Sequence, residues 1–245
     1  MHERPMKIAL VSSKGGVGKS SLAIALAVEG VLRGHRILLV DGDRDQATCL
    51  TWAETAVAQQ QPVPTVVGLG AGMHQPDQLP RLAADYDLTL VDTPGRLGDV
   101  QRAALISCDV ALVPVSPSVT ETWALAPTLA VIQEARALKP ALQPALVLTR
   151  VNAATALARA ARDNLAATSL PVLRSQLGAR IAWMECHALG KSVPNYAKGP
   201  AAQEIKAVYD ELMEYARDEE AATRRPQDAA VVLDRSQRRR RVRAG

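Results

Sequence analysis

Short apolar runs alternate along this chain with longer, Ala-rich segments. Residues 7–11 (KIALV), 37–40 (ILLV), 65–67 (TVV), 88–91 (LTLV), 110–115 (VALVPV) and 145–149 (ALVLT) are almost continuously hydrophobic. That pattern belongs to parallel strands buried on both faces. Residues 20–33 and 120–138 are long enough for crossover helices, with Gly34 and Pro140 as their end punctuation. The β-α-β-α order predicts an α/β fold, a doubly wound and mostly parallel sheet with helices on both faces. From 171 to 217 the pattern becomes more helical, and Ile205, Val208, Tyr209, Leu212 and Met213 fall on one stripe. The reading is one domain over residues 1–217 and a basic, flexible tail over 218–245.

Composition narrows the classes. Hydrophobic content of 48% and charged content of 22% fit a packed core. Aromatics are only 3%, with no Phe, which disfavours recognition of single strands by base stacking. Cys49, Cys108 and Cys186 are far apart and form no CxxC pair, against a disulfide scaffold or zinc module and in keeping with a reducing cytoplasm. The N-terminal apolar run is too short for a signal peptide and no stretch has membrane-spanning length, so a cytoplasmic protein is expected. Of the net charge of +4, residues 218–245 supply +3 through eight Arg against five acids. Binding to DNA must therefore rest on placed residues rather than on overall charge.

The strongest chemical signal is residues 12–21, SSKGGVGKSS, directly after the first strand and opening a helix. Gly15, Gly16 and Gly18 let the backbone curl so that amides point inward at phosphate oxygens, and the helix N-terminus adds partial positive charge. Lys19 would reach the β- and γ-phosphates, and the Ser20 hydroxyl would complete a Mg²⁺ shell. The general phosphate-loop pattern has Gly where this chain has Ser13.

The lysine ahead of the glycines, Lys14 in KGGVGKS, resembles the deviant Walker A motif of the ParA/MinD family of P-loop ATPases. The resemblance runs from Lys7 to about Arg217 and is nearest to short plasmid-type ParA proteins. It implies ATP and Mg²⁺ as ligands and a nucleotide set of Lys14, Gly15, Gly16, Val17, Gly18, Lys19, Ser20 and Ser21. It also implies that Lys14 crosses to the other subunit's nucleotide in an ATP-sandwich homodimer. Residues 38–43 (LLVDGD) and 90–95 (LVDTPG) resemble that family's two acidic strand ends. By that likeness Asp41 and Asp92 would hold Mg²⁺ largely through water, and Asp43 would position the attacking water. A lone Asp at a strand end can equally be a turn or helix cap. Arg44-Asp45 stands where many relatives have Pro-Gln, leaving a role for Asp45 open. By likeness to the short plasmid-type ParA proteins, Thr149 and Arg150 at the end of the sixth strand are implied to lie near the base, with a plain surface charge the other reading of Arg150.

Residues 173–180 (LRSQLGAR) resemble the stretch after strand seven in that family, where basic residues face DNA. Arg180, and less directly Arg174, Lys198 and Lys206, are the implied contacts to DNA phosphates; a solvated charged face is the alternative for each. The resemblance implies a nucleoid-associated ATPase that binds non-specific duplex DNA in its ATP state. A ParB-like centromere-binding protein or cargo adaptor would stimulate its slow hydrolysis. The cargo would be a plasmid or chromosome complex, or a protein cluster such as chemoreceptors or carboxysomes. With no helix-turn-helix expected ahead of the loop, operator-specific repression is disfavoured, and RRRRVRAG lacks an apolar membrane-inserting face, which disfavours a MinD-like membrane cycle. A small-molecule phosphotransferase or ligase on the same fold and a nucleotide-switched scaffold are the readings from other classes.

Overall fold

The computed structural model describes residues 5–118, 125–168, 170–196 and 198–217. Among the described residues, seven strands form one sheet: β1 (Met6–Leu10), β2 (Ile37–Asp41), β3 (Thr65–Gly68), β4 (Leu88–Asp92), β5 (Val110–Val115), β6 (Gln143–Val151) and β7 (Val172–Gly178). Their order is β3-β2-β4-β1-β5-β6-β7, and every neighbouring pair is parallel. The helices are α1 (Lys19–Leu32), α2 (Thr48–Ala58), α3 (Leu79–Ala83), α4 (Asp99–Ser107), α5 (Leu125–Leu138), α6 (Ala156–Ala166), α7 (Ala182–Ala188) and α8 (Val193–Tyr196). A further helix, α9, is described over 200–217. The part of the expected long helix before Leu125 and the whole basic tail lie outside the described residues.

Alternate strand residues feed two cores, which is why the strand runs lack polar positions. Ile8 and Leu10 pack on the face covered by α1, α2 and α9, whereas Ala9 and Val11 pack on the face covered by α3 to α6. Helix α1 is buried from Leu22 to Gly30 on nearly every side, so its sequence is apolar all round rather than striped. Its outer end is held by α9: buried Tyr209 bonds His35 Nδ1 through its hydroxyl at 2.8 Å and stacks under the Arg33 guanidinium.

The seventh strand departs from expectation. Residues 173–178 form strand β7 itself rather than the stretch after it. In VLRSQLG only Leu173 and Leu177 are buried, and that spacing of four looks helical. An edge strand pairs on one side only, so nothing demands an apolar residue at the positions between.

The chain leaves β1 toward β2 and β3, returns to β4, then crosses to β5 on the other side of β1. The carboxyl end of β1 is therefore the topological switch point, where open α/β sheets bind ligands. Register pairs Asp92 with both Leu10 and Asp41, so the ends of β1, β2 and β4 are level and their loops converge.

Candidate functional site

Residues 11–18 turn from β1 into α1 through two left-handed glycines, Gly16 at φ 77° and Gly18 at φ 91°. Gly18 is the N-cap of α1 and supplies no side chain to the first-turn amides, which stay available to an anion. Thr93 Oγ1 donates to Leu10 O at 2.7 Å, and the Ser13 amide donates to Thr128 Oγ1 at 2.9 Å. Gln101 Nε2 donates to both Ser12 O (2.8 Å) and Pro94 O (2.7 Å), tying the loop after β1 to the loop after β4.

Lys19 is almost fully buried, with Nζ 3.4 Å from Lys14 O. Burial lowers its pKa, opposed by the charges of Asp92 and Asp43. Asp92 sits under the loop at 1% exposure. Desolvation raises its pKa to about 6, against the Ser20 hydroxyl bond and the charge of Lys19, which favour the carboxylate. Cys49 Sγ lies 3.6 Å from Asp92 Oδ2; burial, then Asp92 and Asp41, push its own pKa well up and keep it a thiol donor. Asp92 Oδ1 is buried and accepts no hydrogen bond. A buried carboxylate oxygen without a donor, beside the Ser20 hydroxyl and under a ring of amides, fits Mg²⁺ held through Ser20 and, by way of water, Asp92.

Asp41 reaches the same spot but is occupied. Its Oδ2 accepts the amides of Cys49 (2.9 Å) and Leu50 (3.2 Å), and its Oδ1 accepts the Asp43 amide (3.0 Å). It caps α2 and shapes the turn at residues 43–47, so any part in the metal shell comes on top of a structural task. Asp43, half-buried, lines the phosphate cavity, and its Oδ1 accepts the Gln46 amide at 3.2 Å. Lys14 is exposed on the loop, as a residue reaching outward would be.

Two cavities meet at Gly18, Ser21 and Arg150. One, of about 570 Å³, is walled by Gly15, Lys19, Ser20, Asp43, Asp45 and Arg96. The other, of about 490 Å³, is mainly apolar, with Val17, Leu22, Leu177, Ile181, Trp183 and Met184 around it. Together they have a charged end and an apolar end, the division a nucleotide needs. Thr149 and Arg150, the base-side candidates, line the apolar end. Arg150 is left-handed (φ 54°) within an irregularity between β6 and β7, which turns its side chain out of an otherwise buried strand.

The basic residues assigned to DNA are placed differently from one another. Arg180 lines the apolar cavity, and its Nε donates to Glu204 at 3.1 Å. Arg174 on β7 meets Glu211 at 3.4 Å and Glu214 at 3.9 Å. Lys198 and Lys206 are exposed. Sequence reasoning passed over Gln101, Thr128, Cys49 and Trp183. Only Gln101 carried a readable signal, being a polar residue on the apolar face of α4 with Ala104 and Leu105.

The chain matches the CobQ/CobB/MinD/ParA nucleotide-binding domain over residues 8–193. It is 31% identical over 212 residues to the "Maintenance of carboxysome distribution protein A" of Halothiobacillus neapolitanus, covering 84% of this chain and 95% of that one. It is 29% identical over 252 residues to the "Chromosome-partitioning ATPase Soj" of Thermus thermophilus, covering 88% and 97%. A Borrelia burgdorferi plasmid partition protein bound to AMPPNP superposes with a TM-score of 0.70 at 17% identity, over 86% of this chain and 100% of that chain. Among the described residues no helix is long and apolar enough to cross a membrane. With its phosphate loop at the switch point and its acidic strand ends beneath, the chain belongs to the CobQ/CobB/MinD/ParA nucleotide-binding family, as a ParA/MinD-type ATPase that uses ATP with Mg²⁺.

Proposed function

We propose that this ATPase is a DNA-riding positioner: it dimerises on ATP, binds non-specific duplex DNA in that state, and releases it when a cargo-bound partner stimulates hydrolysis. The observation that carries the reading is Lys14, exposed on a phosphate loop whose own in-line lysine, Lys19, is buried at the site. Exposed at the surface of the loop, Lys14 is open to a neighbouring protomer's nucleotide, whereas Lys19 is committed to its own.

The residues divide the work. The loop amides and Lys19 hold the phosphates, and Ser20 and Asp92 hold the metal site. Asp43 orients water at the terminal phosphate, and the apolar cavity takes the base beside Thr149 and Arg150. Mg²⁺, when bound, neutralises charge developing on the phosphate oxygens. Arg174, Lys198 and Lys206 are the proposed contacts to DNA phosphates. Arg180 joins them only by exchanging Glu204 for a phosphate. Such contacts are indifferent to sequence and weaken steeply with salt.

The cargo we favour is a plasmid or chromosome centromere complex with a ParB-like partner. The similarity to the carboxysome-distribution protein supports a protein cluster as the second reading. The test is Lys14→Ala with ATP and Mg²⁺: ATP binding should persist while light scattering shows monomer. A normal ATP-dependent dimer would overturn the trans role of Lys14.

A further inference from the structure

Across the mouth of the phosphate cavity, Arg96 Nη2 lies 2.7 Å from Asp45 Oδ2. The two residues come from different loops, after β4 and after β2, and both line that cavity. Their backbones are fixed while their side chains are not. Arg96 follows Gly95, which packs directly on Gly15 of the phosphate loop. Asp45 sits in the turn closed by the Ala47 amide on Asp43 O (2.7 Å) and by left-handed Ala47. The side chains are 81% and 71% exposed. An ion pair so exposed adds little to the stability of the fold. Its charges can be redirected at little cost, and a guanidinium fork prefers a phosphate's paired oxygens to a single solvated carboxylate oxygen.

We propose that Arg96 is a phosphate-binding residue, held across the cavity mouth by Asp45 in the empty site and transferred to the nucleotide's terminal phosphates on binding. Asp45 is the competing anion: it keeps Arg96 near the position a phosphate oxygen would take, and any ligand must displace it. The inference rests on the phosphate loop being the nucleotide site.

The experiment is a double-mutant cycle on the full chain, with affinities for Mg²⁺-ATP and Mg²⁺-ADP measured by calorimetry. Four proteins are compared: the parent, Asp45→Asn, Arg96→Gln and the double variant. Melting without nucleotide verifies folding, since both positions are exposed. Asp45→Asn should tighten ATP binding about three- to ten-fold and Arg96→Gln weaken it about ten-fold. In the Arg96→Gln background the Asp45 substitution should have no effect, and ADP should respond less than ATP. The same tightening in both backgrounds would mean that Asp45 merely repels phosphate, and it would overturn the proposal, as would unchanged affinity in Arg96→Gln. Lys19→Ala separates the two levels: retained tight binding there refutes the phosphate-loop reading itself, whatever the cycle shows.

Discussion

Gly95 rests on Gly15: a Cβ at position 95 would lie 2.8 Å from the Gly15 Cα and 3.0 Å from its nitrogen. The loop after β4 is thus packed backbone to backbone on the phosphate loop. Gly95→Ala must push the two loops apart, and backbone cannot yield as a flexible side chain would. ATP affinity should fall at least ten-fold by calorimetry, with a loss of about 1–3 kcal/mol in stability.

Gln101 makes the same connection through hydrogen bonds. Gln101→Ala leaves the carbonyls of Ser12 and Pro94 without the amide that bridges them. The expected loss is about 1–3 kcal/mol by denaturant unfolding. Nucleotide should restore part of it, because bound phosphate re-ties the two loops.

Asp92 gives a pH dependence with a definite sign. Its pKa rises from 3.8 unfolded to about 6 folded, chiefly by burial. The folded chain then binds more protons between those values, so the stability of the ligand-free protein falls as pH rises through that window. Asp92→Asn should remove this slope. At pH 8 without nucleotide it should melt higher than the parent, with about 3 kcal/mol the upper scale of the gain, and near pH 4 the two should coincide. It should also lose stabilisation by Mg²⁺-ATP. A variant less stable than the parent at pH 8 would count against the strain assigned to this carboxylate.

Asp41 and Asp43 stand two residues apart and should separate cleanly. Asp41→Ala strips the cap from the Cys49 and Leu50 amides and should cost about 2 kcal/mol even without nucleotide. Asp43→Ala, which loses one exposed turn bond, should unfold within about 1 kcal/mol of the parent yet stop hydrolysis and lock the protein on DNA. Chemical denaturation and phosphate release measure the two effects.

The phosphate loop was legible because its chemistry dictates residue type. Left-handed turns at 16 and 18 call for glycine, and the helix start calls for a lysine and a hydroxyl. The buried strands were legible for a like reason, since two covered faces leave no room for polar residues. β7 was not, because Leu173 and Leu177 share one face with Ser175 between them, so the apolar alternation is broken. The capping task of Asp41 was half-readable: a strand-end Asp can be a cap or a ligand, and the convergence of the α2 amides on it shows the cap. Contacts between segments distant in sequence, such as Ser13 with Thr128 or Arg96 with Asp45, depend on strand order, which no local window contains.

The proposed function depends on a nucleotide-switched hold on DNA. Co-sedimentation with random-sequence duplex DNA, with ATP against ADP over a salt series, tests it most directly. Binding is expected with ATP alone, falling steeply as salt rises. Equal binding in both nucleotide states, or none in either, would contradict it.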